Sequence, residues 1–322
     1  MAETANIAKI AQIVSDEIFS VFGWKRRPHK DQNWECVVPS HRKATHPSDV
    51  VFSYDSPLEN GRVYLTVDVK SYQRSVITKN KVEEALLSLS MSAECANQSE
   101  EWQDLYVDPT TNARVHGMLF VFNHDGNYDK DFTKLLSTIK QTALRIKAAY
   151  RLYVFGPKDI HYLQNIANDI VKKRGRKEIP DSEFCKFYHP DLVRARVSSN
   201  TLEAATAEML QSPWLVLKYD ARATNGKYGY LVYYRGEASS VDELKFLIDY
   251  LFRFQLVADM AQIEIRAPFA DSRATALFET AKEQYAKEYF EFQEFQTRLN
   301  QISFSNIATI ENCFSTIELG MD

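Results

Sequence analysis

An aspartate and a lysine occur two residues apart in the segment from Tyr64 to Lys70, whose β-branched and aromatic residues predict a strand. Because successive side chains of a strand point to opposite faces, Asp68 and Lys70 are predicted to lie side by side on one face. The intervening positions are apolar, so the other face is predicted to be buried. A carboxylate and an ammonium group held at this spacing could act on one substrate.

A second acid belongs to the strand that precedes this segment. Residues 50–54 read as a strand, and residues 55–61 between the two strands are rich in turn-forming types. Pairing the strands across this turn places Asp49 opposite Val67, one residue from Asp68. Two carboxylates and a lysine are therefore predicted to converge at one end of a two-stranded ribbon.

These three side chains could together bind a divalent cation and act on a phosphate group. Two close carboxylates repel each other unless a cation lies between them. Mg²⁺ and Mn²⁺ prefer oxygen ligands, and Mg²⁺ keeps water molecules beside a substrate phosphate. A bound ion activates a water and stabilises charge on phosphodiester oxygens, while a lysine can position that water or offset negative charge. Asp49, Asp68 and Lys70 therefore indicate metal-dependent hydrolysis of a phosphodiester.

At these positions the chain resembles the PD-(D/E)xK nuclease superfamily, which includes many restriction endonucleases and DNA-repair nucleases. The matching text is Pro47-Ser-Asp49, a hairpin, and Asp68-Val-Lys70-Ser71. Ser48 separates the proline from the aspartate, so the first half of the motif is not literal. A helix before the hairpin and another after the lysine strand also follow the order of elements in the family.

The resemblance implies a role for each matching residue. Asp49 and Asp68 correspond to the metal-binding acids, and Lys70 to the lysine that assists the attacking water. The main-chain carbonyl of Val69 is implied as a further metal ligand. Glu17, on the first helix, is implied as an additional acid. The resemblance implies that the protein is an Mg²⁺-dependent (or Mn²⁺-dependent) endodeoxyribonuclease with a role in bacterial anti-phage defence or DNA processing.

The order of predicted elements defines an α/β (mixed α+β) fold. Helices are predicted at residues 3–22, 81–102, 132–149 and 159–173, with strands at 115–123 and 152–155 between them. The resemblance implies a restriction-endonuclease-like core, a mixed sheet flanked by helices, over residues 1–178. Residues 179–322 are predicted to form a smaller C-terminal α+β domain in the order ββαβα, with a final long helix from Asp271 towards Asn300.

Bulk composition restricts the function classes. The chain has 322 residues and a formal net charge of −4, so binding to phosphate depends on local basic patches. Scattered cysteines without a CxxC pair argue against a zinc ribbon and predict a reduced, cytoplasmic protein. No apolar run reaches the length of a membrane span, and no Walker A sequence is present.

Basic residues in two places are predicted to contact nucleic acid, most plausibly DNA. One group is Lys172, Lys173, Arg174 and Arg176, and the other is Lys25 and Arg26. Cations at a solvated helix end are an equally good interpretation of the first group. His41 and His46 are predicted to lie in an exposed loop. A cut in both strands would need two sites, which favours a homodimer, and the family context suggests a separate ATPase or helicase partner.

Other interpretations of the same residues remain open. Asp68 and Lys70 could form a surface ion pair, Asp49 could be a turn residue, and Glu17 could be a solvated helix residue. A non-catalytic subunit could use the nuclease fold to bind nucleic acid or a partner protein. A metal-dependent phosphatase or other phosphoesterase would share the chemistry without the family match.

Overall fold

The computed structural model describes residues 2–59, 61–189, 201–220, 222, 228–257, 261–289 and 293–310. These residues divide into two compact units, one that ends at Leu163 and one that spans Gln164–Ile310. The division falls inside a helix, Pro157–Gly175, whereas the predicted domain boundary follows that helix at residues 178/179. Within the described residues, no helix is both long and apolar enough to cross a membrane.

The first unit alternates strands and helices. Its elements are α1 (Ala2–Val21), β1 (Lys25–Arg26), β2 (Gln32–Glu35), a 3₁₀ turn (Pro39–His41), β3 (Thr45–Ser48), β4 (Val50–Ser56), β5 (Gly61–Tyr72), α2 (Lys79–Ala96), α3 (Glu100–Tyr106), β6 (Ala113–Asn123), α4 (Phe132–Ser137), a 3₁₀ turn (Gln141–Leu144), β7 (Leu152–Phe155) and the start of α5 (Pro157–Gly175).

A five-stranded mixed sheet in the order β1-β4-β5-β6-β7 forms the centre of this unit. The strand β4 pairs antiparallel with β5, and β5, β6 and β7 run parallel to one another. On one face, the Phe19 ring of α1 lies 5.2 Å from Phe52 and 6.0 Å from Phe120, measured between centroids. On the other face, α2 buries Leu86 and Leu89 against β6. Helices therefore cover both faces, and the mixed α/β architecture predicted from the sequence is confirmed.

A separate two-stranded ribbon, β2 and β3, lies between β1 and β4 in the chain. Its strands pair antiparallel, with Trp34 opposite His46. Trp34 is buried in a cluster with Trp102 and Tyr106 of α3. The sequence pattern did not predict this ribbon, because its strands are short and carry polar residues.

Two predicted helices of the first unit are interrupted. The helix predicted for residues 81–102 is split, because the Ser99 hydroxyl accepts a hydrogen bond from the Trp102 N–H and caps a new helix, α3. The helix predicted for residues 132–149 is wrong beyond Ser137. A 3₁₀ turn follows there, and Arg145 adopts a left-handed backbone (φ 53°) that ends it.

The second unit contains a six-stranded sheet in the order β13-β12-β11-β10-β8-β9. After the end of α5 its elements are a 3₁₀ turn (Ser182–Phe184), β8 (Cys185–Tyr188), β9 (Thr201–Leu202), α6 (Ala207–Gln211), β10 (Trp214–Asp220), β11 (Tyr228–Tyr234), α7 (Val241–Arg253), β12 (Gln262–Ala267), α8 (Ala274–Tyr289), α9 (Gln293–Asn300) and β13 (Ile302–Asn306).

The second unit agrees with the predicted ββαβα order from β10 onward, and it adds β8, β9 and β13. Its core lies between the sheet and the pair α7 and α8, and it includes Leu247, Ile248 and Phe278, each with no exposed surface. The helix predicted from Asp271 towards Asn300 is instead two helices, α8 and α9.

Candidate active site

The hairpin of β4 and β5 brings the two predicted acids together. The observed register pairs Val50 with Val67, so its continuation by one residue places Asp49 opposite Asp68. The predicted partner of Asp49 was Val67, and this register is therefore wrong by one residue. Asp49 directly precedes β4, and its side chain reaches β5 beside Asp68 through a hydrogen bond from the Val69 N–H.

Asp49 is held by one hydrogen bond to its carboxylate and one to its main-chain carbonyl. Its Oδ2 accepts a 2.8 Å hydrogen bond from the Val69 N–H, and its own main-chain carbonyl accepts one from the Asp31 N–H at 2.9 Å. The N–H and C=O of a strand residue point to the same edge of the strand. The Val69 carbonyl is therefore expected at the edge of β5 to which its N–H points, and its role as a metal ligand stays a prediction.

The residue before Asp49 is fixed by buried hydrogen bonds. The Ser48 hydroxyl accepts bonds from the indole N–H groups of Trp34 at 3.1 Å and Trp102 at 3.3 Å. It also lies 3.0 Å from the Thr66 hydroxyl of β5. Ser48 thus connects the ribbon, α3 and β5, and it holds the start of β4 in place next to Asp49.

Lys70 pairs with the neighbouring acid on its own strand. The Lys70 ammonium forms a salt bridge with Asp68 Oδ1, and the two side chains are 33% and 18% exposed. Although burial opposes the charged form, the charge of Asp68 and the hydrogen bond to it raise the pKa of Lys70. Lys70 therefore stays protonated, and its ammonium serves as a fixed positive charge.

The site holds more negative charge than Lys70 neutralises. Burial, followed by repulsion from Asp68, raises the pKa of Asp49 to about 6, against the opposing effects of the Val69 N–H and Lys70. Asp31 raises it further. Asp31 was missed in the sequence analysis. It is an acid in the polar segment before the ribbon, but the conformation of that segment, which brings Asp31 near Asp49, could not be predicted from the sequence.

The donor set fits a hard divalent cation. Asp49 Oδ2 and Asp68 Oδ1 are engaged by the Val69 N–H and Lys70, so one oxygen of each carboxylate is left for an ion. Carboxylate and carbonyl oxygens suit Mg²⁺ or Mn²⁺, and such an ion would relieve the repulsion that raises the Asp49 pKa. Asp49, Asp68 and the Val69 carbonyl would hold it.

The other predicted residues lie outside this group of three. Glu17 is exposed on α1. Arg26 forms a salt bridge with Asp16 of α1, and Lys25 is exposed on β1. The assignment of Glu17 as an additional acid, and of Lys25 and Arg26 as phosphate contacts, stays a prediction.

The basic run at the end of α5 divides into exposed and buried members. Lys172 and Arg176 are exposed, and Arg174 is half-buried. Lys173 is only 7% exposed, and its ammonium lies 2.9 Å from Glu178 and 2.8 Å from Glu264. The Lys173 ammonium is paired with both carboxylates inside the second unit. This placement argues against the predicted contact of Lys173 with nucleic acid.

The exposed loop predicted for His41 and His46 is wrong. The side chains are buried, with 9% and 0% of their surface exposed. The polar residues around them suggested a surface loop, but the ribbon folds onto α2 and encloses both rings. They lie beside two cysteines, Cys36 and Cys95, that are distant in sequence.

The arrangement is that of a PD-(D/E)xK nuclease: helices cover both faces of a mixed sheet, and two carboxylates and a lysine lie at the end of its hairpin. The family comparison agrees: residues 1–159 match the model described as the GAPS4 protein PD-(D/E)XK nuclease domain. Residues 1–159 therefore form a domain of the PD-(D/E)xK nuclease superfamily. No curated protein and no solved structure matches the chain.

Proposed function

We propose that the chain hydrolyses phosphodiester bonds of DNA with Mg²⁺ or Mn²⁺ held by Asp49, Asp68 and the Val69 carbonyl. The observation that carries the proposal is the hydrogen bond from the Val69 N–H to Asp49, next to the salt bridge between Asp68 and Lys70. Membership in a nuclease superfamily supports the reaction class.

Each residue of the site has a separate task in this reaction. A bound divalent ion supplies an activated water and stabilises charge on the phosphate. Asp68 orients the Lys70 ammonium through their salt bridge. That ammonium holds the attacking water or offsets the charge that develops on the non-bridging phosphate oxygens. The Val69 N–H holds one oxygen of the Asp49 carboxylate, so the second oxygen would be available to the ion.

The proton that leaves the attacking water is not taken by Lys70. Its raised pKa keeps it as an ammonium, so it has no lone pair to offer. Asp49, whose pKa is about 6 without an ion, becomes fully ionised when a cation binds and then acts as a ligand. Solvent or a substrate phosphate oxygen remains to accept the proton.

Substrate contacts and biological context are part of the same proposal. Lys172, Arg176 and Lys25 are exposed cations that can meet a phosphate backbone, whereas the net charge of −4 offers no general attraction. A cytoplasmic enzyme of anti-phage defence or DNA processing, acting as a homodimer and beside a separate ATPase or helicase, would suit the family and would explain how the DNA is delivered.

The test uses the purified full chain with supercoiled and linear DNA, in Mg²⁺, Mn²⁺ or EDTA. We expect cleavage with either metal, none in EDTA, and none in Asp68→Asn. Asp104→Asn, which removes an exposed acid on α3, is the matched control and should cut like the unmodified chain.

Two results would redirect the proposal. Cleavage that survives Asp68→Asn and Lys70→Met would contradict the site assignment. Metal-dependent DNA binding with no cleavage, even with candidate partners added, would favour the non-catalytic subunit. An RNA substrate assayed in parallel decides whether DNA is the preferred nucleic acid.

A further inference from the structure

A second group of metal-ligating side chains lies in the first unit, apart from the acids and the lysine. Cys36, His41, His46 and Cys95 each offer one ligand atom, and these four atoms lie within 4.8 Å of one another. We propose that this sulfur–nitrogen cluster (Cys36, His41, His46 and Cys95) binds one Zn²⁺ as a structural site.

The ribbon of β2 and β3 supplies three of the four ligands. Cys36 directly follows β2, and its N–H donates to the Ala44 carbonyl at 3.0 Å, so the ribbon pairing extends past the cysteine. His46 lies on β3, opposite Trp34. His41 ends the 3₁₀ turn between the strands, and the left-handed residue after it, Arg42 (φ 53°), returns the chain to β3.

The fourth ligand comes from a distant helix. Cys95 lies in the last turn of α2 and has no exposed surface. Its sulfur accepts a 3.2 Å hydrogen bond from the Val37 N–H, the residue after Cys36. This bond joins the segment after Cys36 to the sulfur of the fourth ligand.

Three distances within the cluster are close to those of ligands around one ion. The Cys36 sulfur lies 3.5 Å from His41 Nδ1 and 3.1 Å from His46 Nε2, and the two nitrogens are 3.2 Å apart. Tetrahedral Zn²⁺ with ordinary bond lengths separates two nitrogens by about 3.3 Å and a nitrogen from a sulfur by about 3.6 Å. Small rearrangements would therefore admit the ion.

Glu94 completes the surroundings of one ligand. His41 directs Nδ1 into the cluster, and its Nε2 lies 3.3 Å from Glu94 Oε2. Glu94 is in turn paired with Lys147. Zinc-bound histidines usually donate their other N–H to a carboxylate, which fixes the tautomer and the ring orientation. Among the described residues no hydrogen bond reaches Nδ1 of His46, so Glu94 is expected to orient His41 in particular.

Ligand chemistry and burial select the metal and its role. Two thiolates and two imidazoles in tetrahedral spacing suit Zn²⁺, whereas Mg²⁺ requires oxygen. Four protein ligands leave no position for a substrate, which is the property of a structural site. Binding would release the two thiol protons to solvent. The ion would tie the ribbon to α2 beside Ser48, whose hydroxyl bonds fix the start of β4.

The test measures metal content rather than activity. The full chain is expressed in zinc-supplemented medium and dialysed. We expect elemental mass spectrometry to find one zinc ion per molecule. We expect Cys36→Ser and Cys95→Ser to retain less than about a tenth of it, because a ligand is lost. Cys185→Ser, which alters a buried cysteine of the second unit, should keep the zinc.

A second control separates this proposal from the proposed nuclease site. Asp49→Asn combined with Asp68→Asn removes both acids and should also leave the zinc content unchanged. Loss of zinc in this double variant, with retention in both cysteine variants, would overturn the assignment to the sulfur–nitrogen cluster.

Variants that fail to fold do not block the test, since the unmodified chain can be examined alone. With Co²⁺ in place of Zn²⁺, two thiolate ligands should give sulfur-to-cobalt charge-transfer absorption and the intense visible bands of a tetrahedral site. A folded chain that holds no zinc, shows no cobalt bands, or contains a Cys36–Cys95 disulfide would refute the proposal and leave a hydrogen-bonded cluster.

Discussion

The acids and the lysine of the hairpin, called here the carboxylate site (Asp49, Asp68 and Lys70), differ from the sulfur–nitrogen cluster in ligand type, exposure and origin. The carboxylate site is open to solvent, with Lys70 33% and Asp68 18% exposed. The sulfur–nitrogen cluster is closed, and His46 and Cys95 have no exposed surface. Open oxygen ligands leave room for water and phosphate, whereas four sulfur and nitrogen ligands, three of them buried and Cys36 half-buried, leave none.

The comparison teaches how one small region can separate chemistry from support. His46 and Asp49 lie three residues apart in sequence, with Ser48 between them bonded to two tryptophans and Thr66. The proposed zinc would hold the ribbon, and the ribbon would hold the start of the strand that carries the first acid. The two sites should therefore respond to different metals and different substitutions.

The largest expected effect is the loss of cleavage when an acid of the carboxylate site is removed. Asp68→Asn loses a ligand and the partner of Lys70, so we expect the initial rate on plasmid DNA to fall at least about a thousandfold, since metal stabilisation is worth several kcal/mol. Zinc content and thermal stability should stay near those of Asp104→Asn. A normal rate would contradict the proposed site.

Replacing the lysine should have a smaller effect of a different kind. Lys70→Met removes one fixed positive charge, and we expect kcat to fall about a hundredfold. Because the acids lose their nearest counter-ion, the concentration of Mg²⁺ needed for half-maximal activity should not rise. A weaker response to Mg²⁺ with unchanged kcat would mean that Lys70 shapes the metal site rather than the reaction.

A change beside the sulfur–nitrogen cluster should weaken zinc binding and leave the Mg²⁺ requirement alone. Glu94→Gln removes the charge that faces His41 Nε2, and we expect about a tenfold to hundredfold loss of zinc affinity in competition with a chelator. Glu100→Gln, a substitution of an exposed acid at the start of α3, is the control. Equal zinc affinity in the two variants would show that Glu94 does not support zinc binding.

The smallest predicted effect is on stability, and it concerns the metal-free carboxylate site. The pKa of Asp49, about 6 in the folded protein, exceeds its ordinary value of 3.8. The folded state therefore keeps a proton that the unfolded chain has lost, and this contribution to the free energy of unfolding decreases as pH rises from about 4 to about 6.

Asp49→Asn abolishes that decrease while an amide oxygen can still accept the Val69 N–H. Above pH 7 and in EDTA, we expect the variant to be more stable than the unmodified chain by roughly 1–2 kcal/mol, allowing for solvent near the carboxylate. Urea unfolding of both proteins at pH 4.5 and pH 8 measures the difference. A gap that is the same at both pH values would exclude repulsion as its cause.

The sequence was informative about the carboxylate site because its evidence is local. Strand alternation alone set Asp68 beside Lys70, and the turn before β5 brought Asp49 near. The strand β7 was predicted with the bounds that the structure shows, Leu152–Phe155. The register itself was misjudged by one residue, since turn length does not determine pairing where several turn geometries are possible.

The sequence was uninformative about the sulfur–nitrogen cluster because its ligands belong to no short motif. Without a CxxC pair, the cysteines looked scattered, and polar neighbours made the histidines look exposed. The cluster depends on a ribbon of short strands and on the packing of Cys95 from a helix far along the chain. Lys173 was misread in a similar way, because Glu264, its partner, comes from a distant strand.

What the sequence alone determined is the chemistry available on β5 and the alternation of helices and strands around it, since both follow from residue types a few positions apart. The tertiary structure decided that Asp49 faces Asp68, that Asp31 adds its charge to theirs, and that two cysteines and two histidines meet in a buried position. Those outcomes depend on strand register and on packing between distant segments, and no local pattern encodes either.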